Sequence, residues 1–283
     1  MLVLAAFLAH LIGIALGMLG GGGAILTLPM LVYAVHVEPK TAIATSLVVV
    51  GSTSLVGMAM HARQGAVKWR VGATFSAASM TGAYLGGRLA AYVPSSVLLV
   101  VFGIVMLTTA TLMLRARNMA EEAAPSAAST PKLLALGGAV GLLSGLVGAG
   151  GGFLIVPALS LIGGLPMRHA IGTSLLVIGV QSFAGFLGHA AHVHLDWTLV
   201  TLITTASVTG SLIGARLGRS IPAAKLRRAF AWLVITMGLF LFAKELPSHI
   251  AIAVALLVIP LAMALSRRPP KPSSPNASPP LPR

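Results

Sequence analysis

Laid on itself with Gly141 over Gly13, the chain matches its own first half without a gap as far as Pro94/Pro222, and roughly 28 of about 82 positions are identical. The matches include Gly17/Gly145, Gly20/Gly148, Gly22/Gly150, Gly23/Gly151, Pro29/Pro157, Thr45-Ser46/Thr173-Ser174, Gly51/Gly179, Gly57/Gly185, His61/His189, Trp69/Trp197, Gly82/Gly210, Gly86/Gly214 and Arg88/Arg216. Apolar composition alone does not align Trp, His, Arg and Pro together. The fold is therefore expected to use one unit twice, as transporters with internal repeats do.

Each unit is a series of apolar runs, at about 2–19, 24–36, 41–62, 70–90 and 97–114, then at about 133–147, 151–165, 170–191, 196–217 and 224–243, with one more near 248–265. Of the 283 residues, 57% are hydrophobic and only 8% charged, against roughly 25% charged in a soluble domain. A soluble globular enzyme is excluded. The 32 Gly and 17 Pro suit helices whose neighbours satisfy disturbed backbone groups. The expected fold class is an all-α polytopic membrane protein with two homologous, inverted repeats. Each repeat has a Gly-broken re-entrant hairpin and three further helices, and one C-terminal helix is added. The expected divisions are a first membrane repeat (1–114), a cytoplasmic linker (115–132), a second repeat (133–243), an extra C-terminal transmembrane helix (244–265) and a disordered Pro-rich tail (266–283).

Charge sets the orientation. The formal net charge is +14, but the Lys and Arg residues sit in short connections rather than on one basic face with interleaved aromatics, so lipid headgroups are the partner and nucleic acid is not. If the chain turns back at each Gly cluster, about 16 of the 19 Lys and Arg residues fall on one side. A chain passing straight through the glycines would divide them only about 12 to 7. The turn is favoured, which puts the N-terminus outside and the linker and C-terminus in the cytoplasm of an inner-membrane, multi-pass protein.

The glycines are the first candidate site. GGGGAILTLP and GAGGGFLIVP lack the Lys-Ser/Thr of a phosphate loop and the third glycine of a dinucleotide fingerprint. One glycine need only permit close packing. Four together, in both repeats, ahead of a short helix and a proline, point to half-helix N-termini whose free N–H groups favour an anion. Gly21, Gly22, Gly23, Gly150, Gly151 and Gly152 are the expected backbone donors. Thr45, Ser46, Thr173 and Ser174 either bond back to the preceding helical turn or give neutral donors to the same oxyanion, with Gln181, Ser54 and Ser182 further along the same helices. Gly82-x-x-x-Gly86 and Gly210-x-x-x-Gly214 read as helix-packing motifs. His61 and His189 stand at equivalent segment ends, either solvated or handling protons, and Arg88 and Arg216 either snorkel to the interface or guide anions at a cavity mouth.

No Asp or Glu lies well inside an apolar run: Glu38, Asp196 and Glu245 fall at or near ends. A carboxylate cation site is thus disfavoured and a neutral-donor anion site favoured. The chain has no Cys, and no nucleophile and base, paired Asp, or zinc motif is evident. We expect no enzymatic activity, no cofactor and no metal, the cluster His189, His192, His194 and Asp196 being a weak metal pattern.

At the Gly cluster, its following Pro, and the twice-used Ala42-Ile43-Ala44-Thr45-Ser46 and Ala170-Ile171-Gly172-Thr173-Ser174, the chain resembles the TauE/SafE sulfite exporter family of the 4-toluene sulfonate uptake permease superfamily. The likeness covers about residues 3–265. It implies a permease of the bacterial inner membrane for sulfite, sulfonates or related anions. Joined to the reading of the residues, it gives the expected function: a secondary transporter moving a small anion by alternating access, with a proton or ion for coupling. The alternative is a non-transporting membrane scaffold or assembly factor.

Overall fold

Proline and one carboxylate set where several helices begin. The computed structural model describes residues 2–19, 24–115, 130–147, 151–218 and 221–267, and every extended regular element among them is a helix. The order is α1 (Leu2–Leu19), α2 (Ala24–Pro29), α3 (Pro39–Ala62), α4 (Trp69–Ala90), α5 (Ser95–Arg115), α6 (Thr130–Val147), α7 (Gly152–Pro157), α8 (Met167–His189), α9 (Trp197–Leu217), α10 (Ala223–Glu245) and α11 (Ser248–Arg267). Gly21, Gly22, Gly23, Gly150, most of the expected linker and the tail from 268 lie outside the described residues. Helix α3 opens on Pro39, while α8 and α10 follow Pro166 and Pro222. A fixed φ suits a first turn, and the missing N–H is one the helix would not use there. At α9 the Asp196 carboxylate accepts from the Thr198 and Leu199 N–H groups at 2.9 and 3.2 Å, a side-chain cap.

Helices α2 and α7 have six residues each and end on Pro29 and Pro157. Beyond the prolines the backbone widens into π-helical turns, Met30–Ala34 and Ala158–Ile162, the kind of local widening that tolerates a disturbed α-ladder. Val35 N–H then bonds the Met30 carbonyl and Gly163 N–H the Ala158 carbonyl, at 3.1 and 2.9 Å. Left-handed residues follow at equivalent places, His36 (φ 62°) and Gly164 (φ 65°). Both halves thus build the same short helix followed by a π-helical turn. As a helix, Ala24–Ala34 reaches only ~16 Å, about half of a bilayer's apolar core.

The long helices pack through glycine. A Cβ at Gly13 or Gly17 would land on the carbonyls of Ser207 and Ser211, and one at Gly210 or Gly214 on those of His10 and Ile14. Helices α1 and α9 therefore run parallel in near backbone contact. The equivalent pair does the same: Gly141 and Gly145 face the carbonyls of Ser79 and Ala83, while Gly82 and Gly86 face those of Gly138 and Leu142, so α6 runs parallel to α4. These are the small-residue motifs read from the sequence, and apolar solvent would not by itself drive such helices together. Helix α8 is 72% buried over its most apolar window and α3 61%, against 39% for α1 and α6. The most buried pair is thus α3 and α8. They cross antiparallel, with Gly51 against Ser182 and Phe183, Gly179 against Leu55, and Gly57 against Leu175.

Five helices, α1, α3, α6, α8 and α9, are long and apolar enough to cross a membrane by length and composition. Helices α5 and α11 carry shorter apolar stretches. Helix α5 packs on its repeat equivalent α10 through Gly103 against Phe242 and Gly238 against Leu107, and Tyr33 of the first π turn meets Phe240 edge-on, ring centroids 5.4 Å apart.

Candidate functional site

A left-handed glycine opens the second short helix. Gly151 has φ 60° and ψ 5°, and its carbonyl accepts from the N–H groups of Leu154 and Ile155, both at 2.9 Å. Gly152 is the first helical residue and is buried. A Cβ on Gly151 would lie 2.6 Å from Gln181 Nε2 and 2.8 Å from Ser144 Cβ and Oγ. Gly151, at the start of α7, therefore rests directly on two polar side chains, from α8 and α6. Gln181 donates to Ser144 Oγ at 3.1 Å, and both residues are buried. Ser144 escaped the sequence reading, although there was a signal: its repeat equivalent is Leu16, so one copy carries a hydroxyl where the other is apolar.

Close by, at the crossing of α3 and α8, lie Ser54 and Ser182. Both are fully buried, and neither Oγ has a hydrogen-bond partner among the described residues. A second equivalent pair on α4 and α9, Ser76 and Thr204, also has buried hydroxyls without a partner among the described residues. Serine in a helix can usually donate to the preceding turn, and a buried polar group without a partner costs free energy. Two symmetric pairs of such hydroxyls therefore stand in the helices of the two halves.

Thr45, Ser46, Thr173 and Ser174 are buried but not gathered at this crossing. Ser46 donates to the Ile43 carbonyl and Ser174 to that of Ile171, each at 2.8 Å, while Thr173 Oγ1 accepts from the Lys68 backbone N–H at 3.0 Å. Because α3 and α8 are antiparallel, the two Thr-Ser pairs sit towards opposite ends of the crossing, on the order of 20 Å apart along the helix axes at ~1.5 Å per residue. The expectation that the four side chains meet at mid-depth differs from this arrangement. Equivalent positions converge only near the crossing point, and these lie about two turns before it.

His61 and His189 close the C-terminal ends of the same antiparallel helices and so stand at opposite ends of the molecule. His189 Nδ1 pairs with the Gly185 carbonyl at 3.0 Å. Arg88 and Arg216 are exposed near the ends of α4 and α9, and Arg88 donates to Tyr84 Oη at 3.3 Å. Among the described residues no group of three His, Cys, Asp or Glu is placed to hold a metal ion; Asp196 is occupied as the cap of α9.

Comparison with known proteins follows the fold closely. The signature of the family described as sulfite exporter TauE/SafE matches residues 4–241. The chain is 36% identical over 247 residues to a probable membrane transporter protein of Xylella fastidiosa, covering 85% of this chain and 95% of that one. It is 29% identical to the probable membrane transporter protein YdhB of Bacillus subtilis, covering 82% and 96%, and 25% identical to a probable membrane transporter protein of Methanocaldococcus jannaschii, covering 85% and 95%. No solved structure matches significantly. With a signature spanning most of its length and a relative at this identity, the chain, a multi-pass membrane transporter, belongs to the TauE/SafE sulfite exporter family.

Proposed function

We propose that the protein is a secondary transporter that moves a small anion, sulfite or an organosulfonate, across the bacterial cytoplasmic membrane by alternating access. The observation that carries this reading is the polar centre of the α3–α8 crossing: Ser54 and Ser182 without partners, beside the Gln181–Ser144 pair against which Gly151 rests. Among the described residues the donors here are neutral and no carboxylate stands with them, which suits an oxyanion and not a metal cation. The antiparallel crossing of equivalent helices supports an inverted repeat, in which a rocking motion would exchange the two ends around a fixed centre. The Gly loops would add backbone N–H groups. Thr45-Ser46 and Thr173-Ser174 would line the two ends of the path.

With no nucleotide-binding motif in the sequence, a proton or ion gradient would drive the cycle. The charge asymmetry favours an N-terminus outside and a C-terminus in the cytoplasm. The site is tested by flux in proteoliposomes. Ser54→Ala with Ser182→Ala is expected to raise the half-saturating sulfite concentration roughly tenfold or more, each lost hydrogen bond contributing ~1 kcal/mol. A folded double variant with unchanged saturation would remove these hydroxyls from the site. Val in place of Gly22 or Gly150 is expected to abolish flux. A scaffold would show no flux in any form.

A further inference from the structure

At one end of the bundle the helix termini stand apart and leave a cavity of about 290 Å³. It lies where α1, α3 and α9 end and α8 begins. Its polar lining is His61, Gln64 and Arg168, and Met18, Met167 and Ile221 are among its apolar walls. Among the described residues that line it, none is a carboxylate. His61 stands about 10 Å along α3 from Ser54, at ~1.5 Å per residue, so the cavity is distinct from the crossing.

The repeat supplies an internal comparison. Arg168 is the equivalent of Lys40. Lys40 Nζ donates to the Ala91 carbonyl at 2.9 Å, at the end of α4. Arg168 is exposed, and among the described residues it makes no hydrogen bond or ion pair. One copy of this cation is tied to backbone while the other faces a cavity. A guanidinium offers a planar fork that fits a carboxylate or sulfonate. Gln64 spends one amide hydrogen on the Met60 carbonyl, at 2.8 Å, and keeps a second.

Size narrows the ligand further. The volume sits near the lower end of the ~300–1,000 Å³ typical of small-molecule sites. It exceeds by far the ~30 Å³ share of one water. A bare three-oxygen anion would engage the polar side and leave the methionine and isoleucine walls uncovered, whereas a short aliphatic body on the same headgroup would cover them.

We infer that this cavity is a vestibular binding site for an organic anion, an oxyanion headgroup on Arg168 with Gln64 and His61 beside it and a short apolar body against Met18, Met167 and Ile221. The inference rests on the anion-transport reading and narrows its substrate class.

The test is equilibrium titration of the full-length protein in nanodiscs with 1-butanesulfonate and, separately, with sulfite. Wild type is expected to bind butanesulfonate more tightly. Arg168→Gln should weaken both anions about tenfold or more, the loss of a charged hydrogen bond. Ile221→Trp, which fills the apolar side from a loop, should weaken butanesulfonate about tenfold while leaving sulfite within roughly twofold, since apolar complementarity alone is lost. Lys40→Gln should bind as wild type. Unchanged butanesulfonate binding in both Arg168→Gln and Ile221→Trp would overturn the vestibular site, and sulfite flux in proteoliposomes persisting alongside it would leave the transport reading standing. Wild type that neither binds nor moves either anion would defeat both. Should Arg168→Gln not fold, the contrast between the two anions in Ile221→Trp decides.

Discussion

Replacing Gly151 with Ala tests whether the start of α7 is as tightly seated as its geometry implies. Two costs add. A Cβ on a residue at φ 60° carries a left-handed penalty of ~1–2 kcal/mol. The same Cβ would stand 2.6 Å from Gln181 Nε2 and 2.8 Å from Ser144 Cβ and Oγ, an overpacking of ~1–3 kcal/mol. The chain contains its own control in Gly65, which has φ 66° and nothing within 4 Å of a Cβ. Gly65→Ala should therefore pay the backbone penalty alone, partly offset by ~0.4–1 kcal/mol from a less flexible unfolded chain. The assay is the midpoint temperature for loss of monodisperse protein in detergent, read beside anion flux. Gly151→Ala should fall well below Gly65→Ala in stability and lose flux. Adding Ser144→Gly removes two of the three close atoms, so the double variant should recover part of the loss, with a coupling of about 1–2 kcal/mol between neighbouring sites. If Gly151→Ala and Gly65→Ala prove equally stable, the packing of Gly151 on Gln181 and Ser144 is not what holds it.

Other consequences are as direct. The chain has no Cys, so single cysteines placed near each terminus and in the linker can be labelled from one side at a time; the linker and tail should react from the cytoplasm and the N-terminus from outside, and a linker and tail on opposite faces would break the inverted topology. His36 occupies the left-handed turn that Gly164 fills in the other half, so His36→Gly should be neutral or mildly stabilising, while Gly164→His should lower the midpoint by roughly 2–6 °C for a cost of ~1–2 kcal/mol. Tyr33 donates to Glu245 Oε1 at 2.7 Å, joining the first π turn to the end of α10, and Tyr33→Phe should destabilise by ~1.5–3 kcal/mol, since the acceptor is a carboxylate.

Much of this architecture could be read from the residues. Gly82, Gly86, Gly210 and Gly214 were legible as packing motifs because small residues four apart leave one face of a helix bare. Pro29 and Pro157 lie inside apolar runs read as continuous, and the short helices α2 and α7 end on them. The partner of each helix was not legible: α1 packs on α9 and α6 on α4, a pairing across the repeats that no local pattern encodes. The Thr-Ser pairs show the same limit at the site. Their repetition made them conspicuous, yet the depth of a residue depends on where two helices cross, and Gly51 and Gly179 move that point towards Ser54 and Ser182. Ser144 was missed because a lone serine in an apolar helix has no signature until the loop that rests on it is placed.

Anion flux through the purified protein tests the central claim most directly. Proteoliposomes under an imposed proton gradient or membrane potential would be challenged with sulfite, sulfoacetate, taurine and thiosulfate. Saturable movement of sulfite or an organosulfonate, competed by its congeners and lost in the Ser54→Ala, Ser182→Ala double variant at low substrate, is the expected result. Failure to move any of the four under either driving force, by protein shown to be folded and inserted, would contradict it.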